Sequence, residues 1–259
     1  MSMTGREPLS DKTIVVTRPV AQARNLLLAL KKFPAKIVYF PTIDIRPVEN
    51  PGVATRLLQN LATYDTVIFS SANAVHHAMS LMQKLQLTFS TQCIATLGPA
   101  TQAALGQYGV QTDIVPKTGF RSEDLLAEEE LQGQSVLIVR GVGGREHLAR
   151  ELDSRGAKVD IAEVYRRSCP ATRPTVNLCT CPAKESAILI YSVESAHNLW
   201  TLCAVDERRW MTKVALIAGS QRIGETATAI GFTKSPIIAS NASDAAMLEA
   251  LQTWAKGSS

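Results

Sequence analysis

The sequence predicts an α/β protein: two Rossmann/flavodoxin-like parallel-sheet lobes, related by internal duplication and joined by a two-stranded β-ladder hinge. Three observations predict it. An apolar strand, an arginine turn and an amphipathic helix are spelled by VVTRPVAQARNLLLALKKFPAK at 15–36 and again by LIVRGVGGREHLARELDSRGAK at 137–158. The correspondence continues far beyond that unit: Arg18 recurs as Arg140, Leu26 as Leu148, Ser70 as Ser192 and Gly109 as Gly231, each pair 122 positions apart. Finally, two segments break the strand–helix rhythm at equivalent places, 41–48 and 161–170. A fixed offset sustained along most of the chain marks a tandem repeat of one supersecondary unit.

The elements follow in order. Short apolar, β-branched runs near 13–17, 36–40, 66–70, 92–97 and 112–115 read as strands of the first copy. The second copy repeats them near 135–139, 157–160, 186–191, 213–218 and 235–238. Strands alternating with helical patterns of this length imply parallel sheets covered by helices on both faces. Ser or Gly opens the helices, and Gly109, Gly156 and Gly231 close three of them. PTIDIRPV (41–48) and IAEVYRRSCP (161–170) instead alternate apolar and polar residues and run to a proline, as extended hinge strands would. The chain would then cross between lobes twice. Residues 1–40 and 172–259 form one lobe and 50–158 the other, with 41–49 and 159–171 as the hinge.

Composition narrows the function. Hydrophobic residues are 46% and charged residues 19% of the 259, an ordinary soluble balance. The longest apolar runs fall short of the roughly 18 residues of a membrane span, so no membrane association is expected. The polar start MSMTGREPLSDK reads as a frayed tail rather than a signal peptide, and the expected location is cytoplasmic. Five cysteines, with Cys179 and Cys181 as C-x-C, give neither a C-x-x-C redox pair nor a zinc spacing. Net charge is only +4 and aromatics 5%, without the basic stripe or stacking platform of a nucleic-acid binder.

Ligands of open parallel sheets bind beyond the carboxyl ends of the strands. Those positions here carry hydroxyls and amides (Thr17, Ser71, Asn73, Thr101, Ser192, Ser195, Ser220), glycines, and the arginines Arg18, Arg140, Arg145 and Arg222. No histidine–carboxylate pair or metal cluster is among them. Helix N-termini with small residues bind anions, and arginines recognise carboxylates bidentately. A cleft between two such lobes is expected to bind a polyanion. GVGGR at 141–145 is too short for a dinucleotide fingerprint and lacks the following acidic residue. His76, His77, His147 and His197 read as surface residues one turn into helices. Tyr165, followed by Arg166 and Arg167, lies where the floor of the cleft is expected.

Taken together, VVTRP (15–19), FSSANAV (69–75), LGPAT (97–101), RGVGGREHL (140–148), VYRR (164–167) and GSQRIGETATAIGF (219–232) resemble, in order and spacing, the uroporphyrinogen-III synthase family. The resemblance spans about residues 12–255. It implies a cofactor-free lyase that cyclises the linear tetrapyrrole hydroxymethylbilane, expelling its terminal hydroxyl as water and inverting ring D to give uroporphyrinogen III. It further implies that Tyr165 matches the tyrosine acting on the leaving hydroxyl, that Ser71, Thr101 and Ser192 line the cleft, and that Lys213 matches a basic residue of the last lobe. Handover of substrate from hydroxymethylbilane synthase and a monomeric state are expected with it. The chain departs at IAGSQRIG (217–224), where many members carry Gly-Pro-Thr-Thr and Ile223 replaces the second threonine. The alternative is a two-lobed α/β small-anion binding protein without catalysis, of the periplasmic or repressor-core type. That type needs an export signal or a DNA-binding helix-turn-helix.

Overall fold

The computed structural model describes residues 9–89, 93–116, 122–127, 134–144 and 146–257. The first eight residues of the expected tail, and Arg145, lie outside the described residues. In chain order the elements begin β1 (Thr13–Val16), α1 (Val20–Leu30), β2 (Lys36–Tyr39), β3 (Asp44–Pro47), α2 (Gly52–Gln59), β4 (Thr66–Phe69) and α3 (Ala72–Lys84). There follow β5 (Cys93–Thr96), α4 (Pro99–Gly106), α5 (Ser122–Leu125), β6 (Ser135–Gly141), α6 (His147–Ser154) and β7 (Lys158–Ser168). The last are β8 (Ser186–Ile190), α7 (Val193–Leu202), α8 (Val205–Met211), β9 (Ala215–Ala218), α9 (Gln221–Ile230), β10 (Ile237–Ile238) and α10 (Asp244–Gly257). None of these helices is long and apolar enough to cross a membrane.

The chain divides into two compact units, Met1–Asp44 with Ser168–Ser259, and Ile45–Arg167. The first holds a sheet of order β10-β9-β8-β1-β2, the second a sheet of order β3-β7-β6-β4-β5. The first is parallel throughout. In the second, β4 pairs with β5 and β6, and β6 with β7, all in parallel. Val15 lies opposite Ile188, so the first strand of the chain completes a sheet made mostly of its last third.

Both sheets are covered on both faces, and strand alternation sorts the side chains. Val15, Ile188, Ile190, Leu216 and Ala218 pack under α7, α8 and α9. Their neighbours Ile14, Val16, Ala187, Leu189 and Ile217 pack under α1 and α10. In the other sheet Val67, Phe69, Leu137 and Val139 face α2, α3 and α4, while Ile68, Val136 and Ile138 face α5 and α6. Strands buried on both faces read as continuous apolar runs, which is why these were legible. Gly231 ends α9 with φ of 127°. A side chain there would also strike Trp200, whose ring lies 2.6 Å from where its Cβ would stand, so the cap needs glycine twice over.

The structure departs from expectation at three strands. The run expected at 112–115 is reduced to one parallel bridge, Ala95 to Ile114, because Pro116 follows and cannot donate to a ladder. The strand expected at 157–160 and the hinge segment expected at 161–170 are one strand, β7, which pairs with β6 from Lys158 to Glu163 and, after a one-residue shift, at Tyr165. The expected 122-residue correspondence slips by one at its middle unit: Ser71 and Ser192 both N-cap their helices, so Ser71, not Ser70, occupies the place of Ser192. The flanking pairs β1/β6 and β5/β9 start at 13/135 and 93/215 and keep the original offset.

One buried ion pair ties α8 into its unit. Glu207 is 4% exposed and accepts Arg173 Nη1–H at 2.5 Å, Arg173 Nη2–H at 2.8 Å, Ala204 N–H at 3.0 Å and Leu178 N–H at 3.3 Å. Burial alone would raise its pKa from 4.5, but the bonds from Arg173, Ala204 and Leu178 outweigh burial and lower it. A carboxyl with a depressed folded-state pKa stabilises the fold above its unfolded value and loses that contribution as pH falls through the folded value. Glu207→Gln is therefore expected to cost roughly 2–3 kcal/mol at neutral pH, less than a fully enclosed pair because the guanidinium reaches water. Chemical denaturation from pH 8 to pH 3 should show a constant gap from the parent protein down to about pH 4.5, narrowing below it. A gap unchanged at pH 3 would refute the assignment.

Candidate functional site

In the unit formed by residues 45–167, the carboxyl ends of β5, β4 and β6 lie side by side. Ser71 ends the turn after β4, and its Oγ accepts the Ala74 N–H at 3.2 Å, which caps α3. Asn73, half-buried, stands in the first turn of α3, and Thr101, 5% exposed, in the first turn of α4. Pro99 at the start of α4 presets its first turn without leaving a donor unpaired.

Tyr165 joins this group from two strands away. Along β7, Ala162 and Val164 face α2, α3 and α4, so simple alternation would turn Tyr165 to the other face. The ladder prevents that. Arg140 pairs with Glu163 but Gly141 pairs with Tyr165, an irregularity that leaves Val164 as an extra residue. Such a bulge re-aims the side chain that follows it. Tyr165 thus packs in the same cluster as Val164, and its carbonyl accepts the Val142 N–H at 2.8 Å. The ring passes over Gly141, and its hydroxyl lies 3.2 Å from Ser71 Oγ.

His77, expected on the surface, instead stacks on the Tyr165 ring with centroids 5.5 Å apart and planes 20° apart. Burial, and then the neighbouring His76, lower the His77 pKa from 6.5, so a neutral imidazole covers the phenol at pH 7. Sequence spacing carries no sign of this contact, which depends on the register of β7 against β6. The loop motif that contains Gly141 gives no sign of its part beneath the ring either.

Arg140 points elsewhere. It alternates with Gly141 on β6, and its Nη2–H reaches Glu163 Oε1 at 3.2 Å. The pair lines a cavity of about 510 Å³ with Val48, Asn50, Val53, Ala54, Val142 and Ile161. Arg140 is therefore beside the Tyr165 group in sequence and apart from it in space.

In the other unit, β1, β8 and β9 end together. Ser192 Oγ accepts the Ser195 N–H at 3.0 Å and caps α7, and Ser220 Oγ accepts the Ile223 N–H at 3.4 Å and caps α9. Both hydroxyls stay half-exposed. Ser195 is different: it is 2% exposed and bonded within the protein. Thr17 donates to the Leu189 carbonyl at 2.6 Å, so Ser195 must donate to Thr17 Oγ1 at 3.1 Å. Thr42 then shares its one proton between Ser195 Oγ at 2.7 Å and the Thr17 carbonyl at 3.2 Å. Each hydroxyl has one proton, and the chain of donors runs one way.

Arg18 is also engaged internally. Its Nη1–H meets Asp244 Oδ1 at 2.5 Å, and its guanidinium lies 4.3 Å from the centre of the Tyr191 ring. Asp244 opens α10, where a helix N-terminus favours negative charge. Arg222 is exposed on the first turn of α9. Ile223, the departure from the family pattern, is 5% exposed and fills the core beneath α9. Lys213 is exposed before β9, at the opposite end of that strand from Ser220. The strand rises about 3.3 Å per residue, so Lys213 does not meet the other candidates of its unit. Among the described residues no three His, Cys, Asp or Glu side chains stand together as metal ligands would.

These arrangements offer capped helix starts, exposed hydroxyls and one phenol, which suits the binding of carboxylates and the donation of a hydrogen bond. The comparisons with known proteins agree in kind. The family model described as uroporphyrinogen-III synthase HemD matches residues 25–249. Uroporphyrinogen-III synthase of Escherichia coli K12 is 29% identical over 246 residues, covering 93% of this chain and all of that protein. The Proteus mirabilis uroporphyrinogen-III synthase is 33% identical over 60% of this chain and 80% of its own length. In fold, a crystal structure of mutant uroporphyrinogen III synthase from the extremely thermophilic bacterium Thermus thermophilus superposes with a TM-score of 0.61 at 16% identity, over 95% of this chain and 99% of that one. The synthetase of Helicobacter pylori 26695 gives 0.57 at 17% identity, over 92% and 97%. With the family model covering most of its length, the chain belongs to the uroporphyrinogen-III synthase family.

Proposed function

We propose that this chain closes hydroxymethylbilane into uroporphyrinogen III, with loss of water and inversion of ring D. Family membership over residues 25–249 carries the proposal. The reaction is that of a cyclising lyase. The substrate brings its own leaving group, the net change is loss of water without oxidation or reduction, and a cofactor-independent site meets that need. Left to itself the dehydrated chain closes to the type I isomer, so the protein must hold one conformation and help the hydroxyl depart.

We read Tyr165 as the donor to the departing hydroxyl. Its phenol O–H stands beside the N-terminus of α3, 3.2 Å from Ser71 Oγ, where the helix dipole also favours the substrate's carboxylates. Ser71, Asn73 and Thr101 in one unit, and Ser192, Ser220 and Arg222 in the other, are read as carboxylate-binding positions. Ser195 and Arg18 would support them through the internal bonds already described, and Lys213 would take no part. We further read the two sheets as copies of one ancestral unit, and β3 with the end of β7 as the hinge where the chain crosses between units. The substrate would be handed on by hydroxymethylbilane synthase to a monomeric enzyme in the cytoplasm.

Incubation with freshly prepared hydroxymethylbilane, followed by chromatography of the oxidised products, tests the reaction. The type III isomer is expected to predominate; type I alone would leave only the non-catalytic anion-binding alternative. Tyr165→Phe keeps the ring and removes the donor, and is expected to lower kcat on the order of 10²-fold with little change in KM. A rate within twofold of the parent would remove Tyr165 from the mechanism. Affinity for the product should fall as salt is raised from about 50 to about 500 mM, because its carboxylates are bound by partly screened charges and dipoles. A salt-independent affinity would mean that apolar contacts dominate.

A further inference from the structure

Gly141 pairs with Tyr165 at the end of the β6–β7 ladder, and its backbone is not the reason it is glycine. Left-handed φ values occur among the glycines at Gly109, Gly143, Gly156 and Gly231, and Gly141 is not one of them. The constraint is space. A Cβ built on Gly141 would lie 2.5 Å from Tyr165 Cζ, 2.8 Å from Cε2 and 2.9 Å from Oη. Ordinary carbon contacts are about 3.5–4.0 Å, so the ring would have to move by about 1 Å. It has little freedom to do so without leaving its present seat. Tyr165 is 6% exposed, its ring is stacked on His77, and its carbonyl is bonded to Val142.

We propose that Gly141 is a positioning residue: its missing side chain is the gap through which the Tyr165 phenol crosses β6 and sets its hydroxyl on Ser71. Strand order makes the gap necessary. β6 lies between β7, which carries Tyr165, and β4, which leads into Ser71. Any side chain on the central strand at that level would occupy the path. The Ser71 Oγ accepts the Ala74 N–H and keeps its own proton, so it can donate to Tyr165 Oη and free the phenol proton for the substrate. Gly141 touches no reacting atom in this scheme and acts through Tyr165 alone. The inference rests on Tyr165 being the donor.

The test is a double-mutant cycle of Gly141→Ala with Tyr165→Phe, measured as kcat, KM and melting temperature. Alone, Gly141→Ala is expected to lower kcat on the order of 10²-fold with KM nearly kept, the effect of about 1 Å of misplacement. In the Tyr165→Phe background it should change kcat by less than about twofold, because no hydroxyl remains to be misplaced. Multiplying losses would overturn the proposal, since Gly141 would then act independently of the phenol. Should Gly141→Ala fail to fold, the Tyr165→Ala background decides. There the added methyl meets no ring and should leave the melting temperature unchanged, whereas an equal loss of folding would overturn the proposal. A slow Tyr165→Phe beside a fully active Gly141→Ala would sink this inference and leave the donor assignment standing. A fully active Tyr165→Phe would sink both.

Discussion

The register of β7 against β6 shifts by one residue between Arg140 and Gly141, and the chemistry available in that unit depends on the shift. Without it, Tyr165 would follow Glu163 to the face covered by α5 and α6. With it, the phenol joins the face under α3 and comes within a hydrogen bond of Ser71. The same irregularity separates Arg140, which remains on the other face with Glu163. One extra residue in one strand thus decides which of two neighbouring functional candidates meets the helix N-termini. The Val142 N–H to Tyr165 carbonyl bond closes the ladder just beyond the shift and holds it.

Within each unit the helix caps and several side chains at the strand ends are bonded inside the protein before any ligand arrives. The caps at Ser71, Ser192 and Ser220 each bond an N–H three residues on, which leaves the other N-terminal amides of those helices for an anion. Behind them the Thr42–Ser195–Thr17 relay and the Arg18–Asp244 pair tie loops to strands. A buried hydroxyl without a partner would cost about 1–3 kcal/mol, so these internal bonds keep the outer hydroxyls in place. Glu207 does the same for α8 by gathering Arg173 and two backbone amides.

Much of this architecture was legible beforehand because it follows from local rules. Apolar runs such as 66–69 and 186–190 are buried on both faces, and burial on both faces leaves an unbroken apolar signature. Serines before helices signal caps for the same reason that they act as caps. The 122-residue offset expected from the sequence matches the starts of β1/β6 and β5/β9, and misses by one at Ser71 because an offset counts residues whereas a cap is defined by its hydrogen bond. Lys213 and His77 show the limit more sharply. A lysine near a strand and a histidine one turn into a helix give no sign of which end of the strand or which face of the helix they occupy.

The sequence alone determined the class of the fold, the alternation of strands and helices, the chemical character of the strand ends and the family. These are properties of short windows or of their order, and each window carries its own hydrophobic and capping signal. Only the tertiary structure decided that β7 pairs with β6 through a one-residue shift, that Arg18 and Ser195 are engaged within the protein, and that Tyr165 reaches Ser71 across Gly141. The physical reason is the same in each case. Which strand pairs with which, and in what register, depends on contacts between residues far apart in the chain, and a one-residue change of register exchanges the faces of a strand.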